Sequence, residues 1–155
     1  MQHNLSYQYL EGYTQLAKKG NYVLPLGMRL VYENGRTWKT SIHEHTSPMG
    51  ECYKNAHLLS LSMGWTYCEG WAMSVIPMKH AWCVNDKQEV VDPTWTDGTD
   101  YCGVGFPPSI MHKFTDKTGL YGILPSLYKI CRGMEYEQAY EFLLQSIAKM
   151  EPLCL

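Results

Sequence analysis

The sequence predicts an α+β domain, and three features carry that expectation. Apolar residues recur at helical spacing near both ends, over residues 6–19 and again from 135 to 150. In the middle, His80, Trp82 and Val84 alternate with Ala81 and Cys83, Asn85-Asp86-Lys87 makes a turn, and residues 88–92 continue as a second strand of a β-hairpin. Between the first helix and the hairpin, residues 53–63 contain neither Gly nor Pro and place Ala56, Leu59 and Met63 at helical spacing.

Taken in order, Tyr7, Leu10, Tyr13 and Leu16 or Ala17 give the first helix its apolar stripe, and Lys18-Lys19-Gly20 supplies a basic last turn and a stop. A stripe of this kind faces a core more often than a partner. Residues 22–32 are β-branched and apolar but interrupted by Pro25 and Gly27, and Asn34-Gly35 signals a tight turn toward residues 37–42. Extended segments, arranged as a hairpin, are expected there. Residues 65–76 form a central strand bounded by Pro77, with Gly70 permitting a bulge or close packing on the helix and Glu69 as a solvated or locally paired charge. Residues 101–106 make another strand, ended by Pro107-Pro108. A short helix over 109–112, a turn over 115–119 and a helix from Pro125 to about Cys131 follow. The last helix starts at Glu135 and runs to Met150, with Pro152 as its stop.

Bulk properties bound the function. A chain of 155 residues buries about 68–70% of its unfolded surface and reads as one domain, 1–155, with no need of a metal or disulfide staple. Charged residues make up 18% and hydrophobic ones 45%, which excludes a disordered chain. The net charge of −2 and the lack of a basic cluster beyond Lys18-Lys19 argue against nucleic acid or an anionic membrane as partner. The first residues show no basic stretch followed by an apolar one, and no run approaches the length of a membrane span, so a soluble protein of the cytoplasm is expected. Six cysteines at diffuse spacing, without a Cys-x-x-Cys pair, fit a reducing compartment.

The chemistry-bearing residues are Cys52 in Gly50-Glu51-Cys52-Tyr53, His80 in His80-Ala81-Trp82, and Asp92 in Val91-Asp92-Pro93-Thr94. Cys52 falls in the first turn of the helix over 53–63, where unpaired N–H groups and the helix dipole favour a thiolate and can lower the thiol below about 8.5. The hairpin brings His80, near the start of one strand, beside Asp92, near the end of the next. Asp92 is then placed to hold the imidazole tautomer while contributing little to folding. Trp95 either shelters the pair from water or caps the core.

These three motifs, in this order, resemble the transglutaminase-like branch of the papain-like cysteine enzymes. The resemblance covers residues 50–106 and includes Glu69-Gly70-Trp71-Ala72, so the family-like core spans about 47–106. It implies a nucleophile helix packed on an antiparallel sheet, Cys52 as nucleophile, His80 as base and acid, Asp92 as orienting group, and no cofactor. The expected activity is thiol-based acyl chemistry, as a hydrolase or acyltransferase, on a peptide, a protein or a small amide. The Cys52 backbone N–H is the one oxyanion donor the sequence offers, and the N-terminal addition could supply a cleft wall or a second donor. Two rivals stand beside this reading. One keeps the fold as a non-enzymatic binding or inhibitory module; the other assembles His43, His45, Cys52 and His57 into a zinc site.

Overall fold

A computed structural model describes residues 3–39, 41–42 and 47–150. Helices and a mostly antiparallel sheet share the chain, as an α+β fold requires. The N-terminal helix α1 (Leu5–Gly20) starts at Asn4, whose side chain accepts from the Tyr7 N–H at 3.0 Å, and stops at Asn21 in the left-handed region. Asn4 also donates to the carbonyls of Trp38 and Tyr101, so the helix start is stitched to two strands.

Residues 26–34 depart from the extended reading: they form helix α2 (Leu26–Asn34). Pro25, which would interrupt a strand, instead stands at the N-cap, where its missing N–H costs nothing. Leu30 and Val31 are buried, and the Arg29 guanidinium lies 3.7 Å from the centre of the Tyr140 ring. Packing against the C-terminal helix thus overrides the β preference of Val31 and Tyr32.

Six strands follow: β1 (Arg36–Trp38), β2 (Ser41–Ile42), β3 (Thr66–Met73), β4 (Pro77–Val84), β5 (Val90–Val91) and β6 (Thr99–Phe106). Their order is β1-β6-β3-β4-β5-β2, antiparallel except where β2 meets β5. The two edge strands, β1 and β2, are neighbours in sequence, so the sheet must curl to hold both. An Arg36–Gln88 hydrogen bond of 2.9 Å bridges β1 to the turn between β4 and β5. That turn is closed by the Asn85 side chain, which accepts from the N–H groups of Lys87 and Glu89.

Alternation along the strands sorts their side chains onto two faces. Trp38, Cys68, Trp82, Val84, Val90 and Tyr101 fill the inside of the curl. Tyr67, Trp71, Ala81, Cys83, Val104 and Phe106 face the helices. Among these is α3 (Cys52–Met63), which ends at Gly64 in the left-handed region and packs on β4; Cys83 donates its thiol to the Ala56 carbonyl at 3.1 Å.

The C-terminal third departs from expectation in two places. Helix α4 (Pro108–Thr118) continues through the residues read as a turn, because Met111, Phe114 and Thr118 bury one side and the left-handed stop comes only at Gly119. A single 3-10 turn, Leu124–Ser126, then leads to α5 (Leu127–Ile130). The last helix, α6 (Tyr136–Ser146), ends four residues before Met150. Ile147 is extended and the Ala148 N–H donates to the Gly105 carbonyl at 2.7 Å, so residues after 146 leave the helix to satisfy β6.

Gly70, expected to permit a bulge or close packing on the helix, instead lies opposite Gly103 of β6, and the register shift between the two strands falls later, between Trp71 and Met73. A Cβ there would lie 2.1 Å from the Cys102 carbonyl oxygen. The nearest atoms are all β6 backbone, which leaves no flexible group to yield. Gly70→Ala is expected to cost about 3 kcal/mol or more, read as a drop in the urea midpoint with little change in the slope.

Candidate functional site

The site forms where the first turn of α3 meets β4. Cys52 opens α3 directly after Gly50, which takes φ +83, and Glu51 at the N-cap. Its half-buried sulfur is approached by the N–H groups of Ala81 and Tyr53. Ala81 follows His80, so one peptide link separates the group that holds the sulfur from the candidate base.

His80 points to the inside of the curl and is only 1% exposed. Its Nε2 lies 2.7 Å from Asp92 Oδ2. Because a carboxylate only accepts, this bond places the ring proton on Nε2 and leaves Nδ1 as the basic nitrogen. Nδ1 is buried and has no hydrogen-bond partner among the described residues. The Trp95 ring stacks on the imidazole at 3.7 Å between centroids and 14° between planes and also packs against the cluster inside the curl, so it covers the pair and caps the core together. Trp82 stacks more distantly on the same ring.

Asp92 lies just beyond β5 and is fully engaged. Its Oδ1 accepts the N–H groups of Thr94 and Trp95 at 2.9 and 3.0 Å; its Oδ2 accepts Tyr101 Oη at 2.6 Å as well as His80. Gly98 makes room for this: a Cβ there would meet the Tyr101 hydroxyl at 2.0 Å and Asp92 Oδ2 at 3.3 Å. Burial acts to raise the Asp92 carboxyl, but the bond and charge of His80, the Tyr101 hydroxyl and the Trp95 N–H outweigh it and hold the group below its usual value. So connected a carboxylate anchors the turn after β5, and the expectation that Asp92 contributes little to folding gives way.

The thiol also departs from expectation. Burial pushes Cys52 up to about 11, the N–H groups of Ala81 and Tyr53 act against this, and the charges of Glu69 and Asp92 add to the rise. The helix-start amides do favour the thiolate, but two nearby carboxylates and lost hydration count for more.

Three contributors escaped the sequence reading. Tyr101 is one of twelve tyrosines, and nothing local marks it as the partner of an aspartate on another element. Asn55 donates to the Pro48 carbonyl and to Thr94 Oγ1, tying α3 to the loop after Asp92. Glu69 is not solvated: it is 0% exposed and accepts Tyr67 Oη, Ile123 N–H and Leu124 N–H at 2.7, 2.7 and 2.9 Å. A lone carboxylate inside an apolar strand was the available signal.

Of the zinc alternative, His43 and His45 lie outside the described residues. His57 is buried with its ring against Tyr67, His112 and Tyr121 rather than toward Cys52. Among the described residues, no three His, Cys, Asp or Glu side chains gather as metal ligands would. Also among them, no helix is long and apolar enough to cross a membrane. Searches of protein-family models, curated proteins and solved structures find no match to this chain.

Replacing Asp92 tests its double role. In Asp92→Asn, one amide oxygen still serves the Thr94 and Trp95 N–H groups, but the amide nitrogen faces the His80 Nε2–H, a donor against a donor. The loss expected near neutral pH is on the order of 2–4 kcal/mol. Since the folded carboxyl lies below its unfolded value of 3.8, the stability it contributes is present above that value and lost as pH falls through the lower, folded one. The gap between wild type and Asp92→Asn in urea denaturation should therefore narrow below pH 4.

Proposed function

We propose that this protein carries out cysteine-based acyl chemistry, with Cys52 as nucleophile, His80 as base and acid, and Asp92 as the group that orients and charges the imidazole. The observation that carries this reading is the state of His80. Its Nε2 is committed to a desolvated carboxylate, while Nδ1 is left basic and, among the described residues, unpaired, one peptide link from the N–H that approaches the Cys52 sulfur. A buried imidazole with one nitrogen kept open suits proton transfer better than structural support, which would use both.

With the thiol pushed up to about 11, the sulfur rests protonated. Proton transfer therefore accompanies attack rather than preceding it. As the sulfur approaches an amide carbonyl, His80 Nδ1 takes the thiol proton, and Asp92 stabilises the imidazolium that results. The Cys52 N–H, at the first position of α3 and without an intrahelical acceptor, donates to the developing oxyanion. His80 then returns the proton to the leaving amine, and water or an acceptor amine, deprotonated by the same nitrogen, releases the acyl group. Trp95 keeps water off the His80–Asp92 bond, where a low dielectric strengthens it. The nucleophile helix on an antiparallel sheet agrees with the transglutaminase-like and papain-like plan, with a peptide, a protein or a small amide as substrate and no cofactor.

One observation favours a binding module instead: a thiol near 11 is a weak nucleophile unless its neighbour takes the proton. The rate of Cys52 alkylation by iodoacetamide, read by peptide mass between pH 5 and 10, separates the two. An acyl-transfer site predicts that His80→Ala slows alkylation at pH 7 by about tenfold or more, with Asp92→Asn intermediate. Superimposable profiles for all three proteins, each following a lone thiol, would leave the binding module.

A further inference from the structure

Glu69 lies on β3 directly across from Ala81, the residue whose N–H approaches the Cys52 sulfur, and both face α3. Across the small Ala81 side chain, the charge of Glu69 acts on Cys52 and Tyr53 at the start of α3. On its other side Glu69 accepts the N–H groups of Ile123 and Leu124, at the head of the 3-10 turn that leads into α5. The residue before them, Gly122, takes φ +93, and a Cβ on it would press within 3.0 Å of the Tyr53 ring. One carboxyl thus joins two parts of the site: the nucleophile with its neighbour Tyr53, and the segment that packs on Tyr53.

We propose that Glu69 is a positioning residue of this site, whose ionised carboxylate clamps the segment 122–130 onto Tyr53 and holds the Cys52 proton in place, and whose protonation loosens the clamp and releases that proton more readily. The physical basis is twofold. Hydrogen bonds from Ile123 and Leu124 to a charged acceptor are about twice as strong as to a neutral one. A negative charge buried beside a sulfur also opposes a second negative charge there.

The carboxyl can change state without losing its partners. On protonation, Oε2 donates to the Tyr67 oxygen once that hydroxyl turns, and the two backbone N–H groups keep their acceptors in weaker form. Burial pushes Glu69 up to about 7, against the N–H groups of Ile123 and Leu124 and the Tyr67 hydroxyl, so the change falls in the neutral range. The other titratable groups that face it stay neutral there. Cys52, Tyr53 and Tyr67 are all raised by burial, and His57, against the Tyr67 ring, is lowered by burial and by His112. Within 122–130, Tyr128 is exposed and Lys129 donates to the Thr118 carbonyl, while Gly122, Ile123, Leu124 and Pro125, at the Glu69 end, do not titrate.

The kinetic half of the test rests on Cys52 being the nucleophile; the spectroscopic half does not. Amide resonances of Ile123 and Leu124, followed from pH 5 to 9, should shift with one shared midpoint near 7. Tyr67→Phe, which removes a donor to the charged form and keeps the ring, should move that midpoint up by about one unit. Flat amides, or a midpoint indifferent to Tyr67→Phe, would overturn the proposal. In the same window and in the His80→Ala background, where no imidazole takes the proton, the logarithm of the Cys52 alkylation rate should climb with pH less steeply than the unit slope of a lone thiol, since Glu69 ionises within it. Tyr67→Phe added to that background should displace the shallow stretch by the same amount. Glu69→Gln added to it should restore unit slope and react faster above pH 7, on the order of tenfold. Unit slope in His80→Ala with shifting amides would overturn the coupling to Cys52. Loss of His80 dependence with the shallow stretch intact would instead sink the acyl-transfer reading and leave the Glu69 role standing.

Discussion

The arrangement of this protein depends on one desolvated carboxylate. Asp92 takes two backbone N–H groups from its own turn, a hydroxyl from β6 and an imidazole from β4, and so joins three parts of the curled sheet at one point. A buried charge is tolerable only when every lone pair is answered, and here the answering groups are the ones that define the site. The same bond that pins β4 to the turn after β5 fixes which nitrogen of His80 is basic. Folding and the proton-transfer geometry are therefore not separable at this residue.

The site combines two electrostatic demands that pull against each other. Asp92 needs to be charged to hold His80, and Glu69 is drawn toward neutrality by burial yet supported by three donors. Both carboxyls raise the thiol that lies between the sheet and α3. A thiol held protonated at rest is protected from adventitious oxidation and alkylation, because the thiolate is the reactive species. On the acyl-transfer reading proposed above, activation then falls to His80.

Sequence and structure disagree where a segment's fate is decided by what it packs against. Residues 26–34 follow Pro25 and carry Val31 and Tyr32, and local propensity alone points to a strand. The Tyr140 ring beneath Arg29 and the buried faces of Leu30 and Val31 make a helix of them. Residues 147–150 continue the helical period of α6, but the Gly105 carbonyl on β6 takes their backbone instead. Glu69 does find a local partner in Tyr67, but it is buried rather than solvated because Ile123 and Leu124, more than fifty residues away, also donate to it.

What the sequence determined by itself is what local periodicity and short spacing control: the α+β class, α1, the helix with Cys52 in its first turn, the hairpin over β4 and β5, and the approach of His80 to Asp92 across it. A twelve-residue separation with a turn between leaves few ways for those two side chains to lie. Only the tertiary structure decided the curl of the sheet, the closure of the site by Tyr101 and Trp95, the upward shift of the thiol and the burial of Glu69. These depend on desolvation and on contacts between distant elements, and neither quantity is carried by the residues of any one stretch.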